Sequence, residues 1–452
     1  MAKELFGTDG IRGIPGEYPL DDATLERVGL ALGNYLRKQD ACPRVLIGRD
    51  TRESGPHIAA QIARGLAASG AEPVSAGVLT TPGVAWLVNR EAFAAGVVIS
   101  ASHNPFHDNG VKLISSSGMK FPDAVEASLE MWILSRNVVG APGGSVPLIE
   151  DERLYKDYLD GLRTAVPGAT FAGLKIVLDC ANGAASTLAP QLFRSLGADV
   201  IAVNDVPDGR NINSNCGSLY PEGLQKCVVA TGAALGVAFD GDADRALFST
   251  ASGKLVDGDG VLLVAGRYLK SMGKLKKNII VGTTMANLGL ERALAKSEIA
   301  LARTAVGDRY VLEEMLRIGV NLGGEQSGHI LFLDDATTGD GMLTAIKVAS
   351  IVSIFGSLDE LVADFEIFPQ KIVNVRVRSK PALDTLPEVG RLLKEAEKAL
   401  GNSGRVILRY SGTEPVARVM VEAESEGDVR RWTQLLASAV QSLIGSSKDT
   451  TQ

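Results

Sequence analysis

"RVLIGRDTRESGPHIAAQIARGLAASGAEPVSAGVLTTP" (residues 44–82) decides the fold class. It opens as an apolar run and breaks into the polar stretch Gly-Arg-Asp-Thr-Arg. Residues 56–71 then carry apolar side chains at helical spacing, and 72–82 form a second apolar run closed by Thr-Thr-Pro. Strand, polar loop, helix and strand in that order make a parallel α/β unit, because parallel strands need a crossover connection. "LKIVLDCANGAAS" (174–186), "TLAPQLFRSLGA" (187–198) and "DVIAVNDVPDG" (199–209) repeat the order. So do "NIIVGTTMANLG" (278–289), "LERALAKS" (290–297) and "IALARTAVGDR" (299–309). The spacing is irregular, which excludes a solenoid. The expectation is three related α/β domains with mixed or parallel sheets, each with a polar loop after its first strand.

The rest of the chain sets the boundaries. A length of 452 residues is too great for one ordinary core. "GAPGGSVPLIED" (140–151) reads as a linker, and further breaks fall near "SGKLVDGDG" (252–260) and "FPQ" (368–370). Beyond the last, "KIVNVRVRS" alternates like a half-exposed strand, a helix is expected over roughly 386–400, and "RVILRYSG" and "RVMVEAES" read as a hairpin. This predicts α/β domains at 1–150, 151–255 and 256–368, then a small α+β domain at 369–452 with a frayed tail, "GSSKDTTQ".

Composition narrows the function. Hydrophobic residues at 45% and charged residues at 22% are ordinary for a soluble globular protein. A net charge of −7 argues against nucleic acid or an anionic membrane as partner, since both attract basic surfaces. No apolar run reaches the roughly 18–20 residues of a membrane span, and "MAKELFGTDG" has no apolar signal region. Cys42, Cys180, Cys216 and Cys227 form no C-x-x-C pair, so buried thiols in a reducing cytoplasm are expected.

"FDGDADRA" (239–246) carries the strongest chemical signal. Asp240, Asp242 and Asp244 alternate, and alternate side chains of an extended backbone share a face. Two carboxylates about 4 Å apart repel by roughly 4 kcal/mol at an effective dielectric of 20, so three together call for a cation. Hard oxygen ligands select Mg²⁺ or Ca²⁺. An EF-hand loop is excluded, because its sixth and twelfth positions fall on Arg245 and Ala251. A solvated turn is the plainer alternative. Asp257 in "VDGDG" and Asp340 in "TTGDGM" fit helix N-caps better than metal ligands.

Three further stretches carry candidate chemistry. "VVISASHNPFHDNGVKL" (97–113) stops an apolar run at Ser102, which reads either as a nucleophile on a rigid scaffold or as the start of a turn. In "VILRYSGTEP" (406–415), Arg409, Ser411, Gly412 and Thr413 offer a fork, two hydroxyls and a bare N–H, suited to a phosphate dianion and equally to a hairpin turn. In "GGEQSGHI" (323–330), Glu325, Ser327 and His329 alternate, as hydrogen bonds to sugar hydroxyls would require and as a solvated loop also allows. Arg12, in "LFGTDGIRG", and Arg49 and Arg52, in "IGRDTRESG", are further anion-binding candidates. A serine hydrolase does not fit, since G-x-S-x-G is missing and the chain has only 4 histidines. A metal beside a serine suits phosphoryl transfer.

Together "FGTDGIRG", "ISASHNP", "NGVK", "INSNCGSLYPE", "DGDADR", "GGEQSGH" and "RYSGTEP" resemble, in order, the motifs of the α-D-phosphohexomutase superfamily, and most closely its bacterial phosphoglucosamine mutases. The resemblance spans nearly the whole chain. It implies a heart-shaped, four-domain, homodimeric cytoplasmic enzyme around a central cleft that interconverts glucosamine 6-phosphate and glucosamine 1-phosphate through glucosamine 1,6-bisphosphate and so feeds cell-wall precursor synthesis. It implies that Ser102 is the phosphoserine and that one Mg²⁺ sits on Asp240, Asp242, Asp244 and a phosphoserine oxygen. Lys112 and Arg245 would flank the transferring phosphoryl, with His103 beside it and Arg12 assisting proton transfer. Glu325, Ser327 and His329 would bind the sugar, and Arg409, Ser411, Gly412 and Thr413 the phosphate not being transferred. The Ser-Gly-Thr loop and Gln326 separate this pattern from phosphomannomutase/phosphoglucomutase members, the nearest alternative. A non-catalytic sugar-phosphate binder and a metal-dependent phosphatase are the alternatives of other classes.

Overall fold

The computed structural model describes residues 4–7, 10–135, 147–411 and 415–446. Most of the linker expected at 140–151, Gly412 and Thr413 of the phosphate loop, and the tail beyond residue 446 lie outside the described residues. The chain divides into two compact units, one of residues 1–285 and 297–363, the other of 286–296 and 364–452.

The first unit contains three sheets. Strands β1 (Ile11–Gly13), β2 (Arg44–Arg49), β3 (Glu72–Val78), β4 (Ala95–Ile99) and β5 (Asn109–Ser115) take the order β1-β5-β4-β2-β3. Strands β6 (Lys175–Asp179), β7 (Asp199–Val203), β8 (Leu235–Phe239), β9 (Ala246–Thr250) and β10 (Leu255–Val256) take the order β10-β9-β8-β6-β7. Strands β11 (Ile279–Thr283), β12 (Ala300–Thr304), β13 (Leu322–Gly324) and β14 (Ile330–Phe332) take the order β12-β11-β13-β14.

One scheme recurs in all three. β2, β6 and β11 each run parallel to the next two strands, and the third strand pairs antiparallel with a fourth. The expectation of three related α/β domains therefore holds, with mixed sheets. One detail differs. The chemically loaded loops follow the third strand of each recurring unit: Ser102 lies between β4 and β5, the three aspartates between β8 and β9, and Glu325–His329 between β13 and β14. These turns leave the carboxyl ends of parallel strands, where open α/β sheets bind ligands.

Packing explains the local sequence. β4 and β8 are buried along their whole length, as strands covered on both faces must be. Helices Asp22–Leu36 and Gly55–Ser69 cross backbone to backbone: a Cβ on Gly29 would lie 2.1 Å from the Ile62 carbonyl oxygen, and one on Gly65 2.0 Å from that of Glu26. Asp257 and Asp340 cap helices Gly258–Ser271 and Gly341–Phe355, as their loops predict. Cys180 and Cys216 are buried, but Cys42 is exposed and Cys227 half-buried, so the buried-thiol expectation holds for two of the four. Burial pushes the Cys216 thiol up to about 12, which makes it inert at neutral pH. Among the described residues no helix is long and apolar enough to cross a membrane.

The second unit carries an antiparallel sheet of β15 (Gln370–Arg376), β16 (Gly404–Tyr410) and β17 (Val416–Ala423), in the order β15-β17-β16. Helices Pro387–Leu400 and Glu426–Ile444 cover one face, their Val389, Leu392 and Leu436 sharing a core with Val419 and Val421 of β17. Strand, helix and hairpin match the sequence reading of a small α+β domain.

Candidate active site

Ser102 does not end a strand. β4 stops at Ile99, and Ser102 stands three residues on, buried, in a left-handed conformation with φ 52°. Its N–H donates to Ser100 Oγ at 2.9 Å, and its hydroxyl donates to Asp240 Oδ2 at 2.7 Å. The serine thus meets the acidic loop directly, across two domains.

The acidic loop converges for a different reason from the one its spacing suggests. Residues 240–245 form a turn, not an extended strand. Ala243 N–H donates to the Asp240 carbonyl at 3.1 Å and Ala243 takes φ 55°, which folds the three carboxylates inward. One oxygen from each of Asp240, Asp242 and Asp244 lies within 4.8 Å of the others, and all three residues are buried. Burial, then the charges of Asp244 and Asp242, hold the Asp240 carboxyl well above the usual carboxylate range. Burial also works against the Asp244 anion, but the His329 hydrogen bond and charge outweigh it and hold Asp244 low. Asp242 Oδ1 and Asp244 Oδ1 are buried and accept no hydrogen bond from the described residues. Buried anionic oxygens without donors, converging on one point, suit a small hard divalent cation. The residues present therefore fit the metal that the sequence implies.

Cations frame the cluster. Lys112, on β5 in register with Val98, is buried and donates to Asp242 Oδ2 at 3.1 Å. Thr81 Oγ1 donates to the same oxygen at 2.6 Å, and Thr81 N–H to the Asp242 carbonyl at 3.1 Å. Arg245 N–H reaches Asp240 Oδ1 at 3.2 Å, and its Nε lies 3.7 Å from Asp244 Oδ1. Arg245 Nη1 and Ser102 Oγ each lie 3.3 Å from His103 Nδ1. A guanidinium only donates, so Nδ1 accepts and the ring carries its proton on Nε2. Burial, then Arg245 and Arg12, push the His103 pKa down, consistent with that neutral form. Arg12, on β1, donates to Asn104 Oδ1 at 3.4 Å on the serine loop.

The sugar-loop alternation breaks in the structure. Glu325 is half-buried and accepts from Gly307 N–H at 3.0 Å, and Ser327 is exposed. His329 is buried, its Nδ1 3.5 Å from Asp244 Oδ2. Gly328 N–H closes a turn on the Glu325 carbonyl at 3.0 Å, and His329 beyond it meets the acidic loop. Arg49 and Arg52 also depart from the anion-binding expectation. Arg49 pairs with Glu150 at 3.0 Å, and Arg52 is fully buried in an ion pair with Asp50.

In the second unit Arg409 is half-buried near the end of β16 and stands in register with Arg418 on β17. Burial and the Arg418 charge lower the Arg409 pKa. Like charges directly opposite on a sheet are unfavourable, and an anion between them relieves the repulsion. Ser411 is buried, its carbonyl accepting from Lys380 Nζ at 2.8 Å. Arg418 and Thr81 are two residues of the site that the sequence does not point to. Nothing local marks either, since each acts through a partner strand or domain.

Comparison with known proteins agrees along the whole chain. Models of phosphoglucomutase/phosphomannomutase domains match in order: alpha/beta/alpha domain I at residues 3–137, domain II at 156–253, domain III at 257–368 and the C-terminal domain at 372–439. A phosphoglucosamine mutase of Solibacter usitatus is 51% identical over 98% of this chain and 100% of its own length. That of Koribacter versatilis is 49% identical over 98% of each. Among solved structures, a phosphoglucomutase/phosphomannomutase family protein of Burkholderia thailandensis has a TM-score of 0.80 at 23% identity, covering 98% of each chain. An Aspergillus fumigatus N-acetylphosphoglucosamine mutase, solved with GlcNAc-6P and magnesium, has a TM-score of 0.70 at 19% identity, covering 98% of this chain and 96% of that one. With four domains matched in order, and half its residues shared end to end with proteins of that name, the chain belongs to the phosphoglucosamine mutase family.

Proposed function

We propose that this protein interconverts glucosamine 6-phosphate and glucosamine 1-phosphate, with Ser102 as the phosphoryl carrier. The observation that carries the reading is the Ser102 hydroxyl, buried and 2.7 Å from one of three convergent carboxylates. In the first transfer the bond from Ser102 Oγ to phosphorus breaks, a bond from the sugar C1 oxygen to phosphorus forms, and the C1 hydroxyl proton passes, in net, to the departing Ser102 Oγ. The product is the 1,6-bisphosphate. After it turns over, Ser102 takes the C6 phosphoryl back and glucosamine 1-phosphate remains.

The chain's own residues divide the work. Ser102 is leaving group and then acceptor, and Lys112 and Arg245 supply positive charge where the phosphoryl passes. Asp240, Asp242 and Asp244 would hold Mg²⁺, which when bound polarises the phosphoryl and offsets its charge. His103, neutral, braces Arg245 beside the serine, and Arg12 is the proposed aid to proton transfer. Glu325 and Ser327 are the proposed sugar ligands. His329 is better placed to orient Asp244. Arg409 and Ser411 are the proposed holders of the phosphate that stays on the sugar.

The substrate is tested by comparing kcat/KM for glucosamine, glucose and mannose phosphates, with product identified by NMR. Glucosamine phosphate is expected to be preferred. A higher value for either other sugar would move the protein to the phosphomannomutase/phosphoglucomutase branch. Arg409→Ala is expected mainly to weaken sugar-phosphate binding. Loss of a charge-assisted hydrogen bond costs roughly 1.5–3 kcal/mol, about tenfold to a hundredfold in affinity. An unchanged apparent affinity in titration calorimetry would assign the phosphate to other residues.

A further inference from the structure

The motif Ile-Asn-Ser-Asn-Cys-Gly (212–217) has no part in the chemistry above. Its Asn213 is buried, in a left-handed conformation with φ 57°. The Asn213 backbone N–H donates to the Ala181 carbonyl at 2.9 Å, which fixes where the side chain starts. From there Nδ2 crosses into the neighbouring domain and donates to two carbonyls of the serine turn, Ser102 at 2.9 Å and Asn104 at 3.1 Å. Arg52 Nη2 donates to the same two oxygens, at 3.2 and 2.6 Å.

The arrangement is a two-sided grip. Arg52 comes from the domain that carries the serine and is itself anchored by Asp50. Asn213 comes from the domain that carries the acidic loop. Gly241 of that loop presses on the same point: a Cβ there would lie 2.5 Å from the Ser102 carbonyl oxygen and 2.8 Å from Asn213 Nδ2. Ser102 meanwhile holds a backbone conformation that side-chain-bearing residues rarely adopt. Such conformations persist where the surroundings over-determine them, and they cluster at functional sites. Without Asn213 the two carbonyls would be held only by Arg52 of their own domain, and the turn would hydrogen-bond to the acidic loop through the Ser102 and His103 side chains alone.

We propose that Asn213 is a positioning residue for the phosphoryl carrier: its carboxamide, opposite Arg52, locks the Ser102–Asn104 turn against the acidic loop. The proposal rests on the reading of Ser102 as carrier. The serine must serve as leaving group and as acceptor in successive transfers, so a loose turn penalises both. Displacing a reacting atom by 1 Å can cost about a hundredfold in rate.

Asn213→Ala and Asn213→Asp, compared with wild type in Mg²⁺, provide the test. Both are expected to fold normally by circular dichroism. kcat is expected to fall by about a hundredfold, while KM for the sugar phosphate stays within about threefold. The ³¹P resonance of the phosphorylated serine should shift or broaden in both. The aspartate is isosteric, yet ionised it only accepts hydrogen bonds and faces two carbonyl oxygens, so it should do no better than alanine. A filling role would give the reverse ranking, and lost activity would track lost folded protein. A folded alanine variant with wild-type kcat and an unchanged ³¹P signal overturns the proposal, as does an aspartate variant clearly more active than alanine. If the alanine variant fails to fold, the isosteric aspartate variant carries the test, and wild-type kcat in it overturns the proposal. Failure of the carrier reading would look different: wild type itself would lack phosphate on Ser102.

Discussion

Ser102→Ala is expected to abolish mutase turnover. Deleting a nucleophile that acts within an assembled set removes nearly the whole chemical step, and a loss of more than about 10⁴-fold in kcat is on the scale seen elsewhere. Among the described residues no other hydroxyl donates to Asp240, so no neighbour replaces Ser102 as a regenerable carrier. The fold should survive, because one hydroxyl is lost from a turn whose backbone stays gripped by Arg52 and Asn213. The wild-type protein should be partly heavier by one phosphate, mapped by peptide analysis to Ser102, and the variant should not. A bisphosphorylated sugar should activate under-phosphorylated wild type, by charging the serine directly, and should leave the variant inactive. Near-normal turnover in a folded Ser102→Ala protein would end the carrier mechanism.

The second large effect concerns the acidic loop. Chelation is expected to abolish turnover and added Mg²⁺ to restore it, because buried carboxylates that repel one another lose the charge that joins them. Its spacing alone suggests a surface loop whose acids contribute little to stability. The structure corrects that: Asp242 is 1% exposed and accepts from both Lys112 and Thr81. Removing its side chain therefore disturbs the interior, and Asp242→Asn, of nearly the same shape, is the better variant. It should keep the fold, lose Mg²⁺ binding in calorimetry and lose activity. Metal-free wild type should also gain thermal stability on adding Mg²⁺, by about 2.7 kcal/mol at a hundred times Kd. The variant should gain little. Full activity in excess chelator, or equal stabilisation of both proteins, would remove the metal from Asp240, Asp242 and Asp244.

Much of the site was legible because its residue types are chemically unusual where they stand. Three acids separated by single residues have few uses apart from a cation, whatever backbone carries them. That is why the convergence of the three carboxylates is legible in the sequence, although their spacing suggests an extended backbone where the structure has a turn. His329 shows the limit of the same argument. Its spacing from Glu325 and Ser327 implies a shared face, but residues 325–328 form a turn, Ser327 is exposed and His329 is buried beside Asp244. Arg52 shows another: an arginine in a polar loop looks like an anion ligand until its burial against Asp50 is seen.

By itself the sequence determined the class of each domain, the order of the motifs and the kind of ligand each could take. Those are local properties, set by hydrophobic periodicity and by the donor and acceptor chemistry of neighbouring residues. Tertiary structure alone decided which loops meet. Ser102 and Asp240 are 138 residues apart in sequence and 2.7 Å apart in space, and Asn213 reaches Ser102 across 111 residues. Such pairings follow from how the loops of separate sheets are brought together when those sheets pack. No window of the chain encodes that packing, because the free energy that fixes it is spread over every buried contact between the domains.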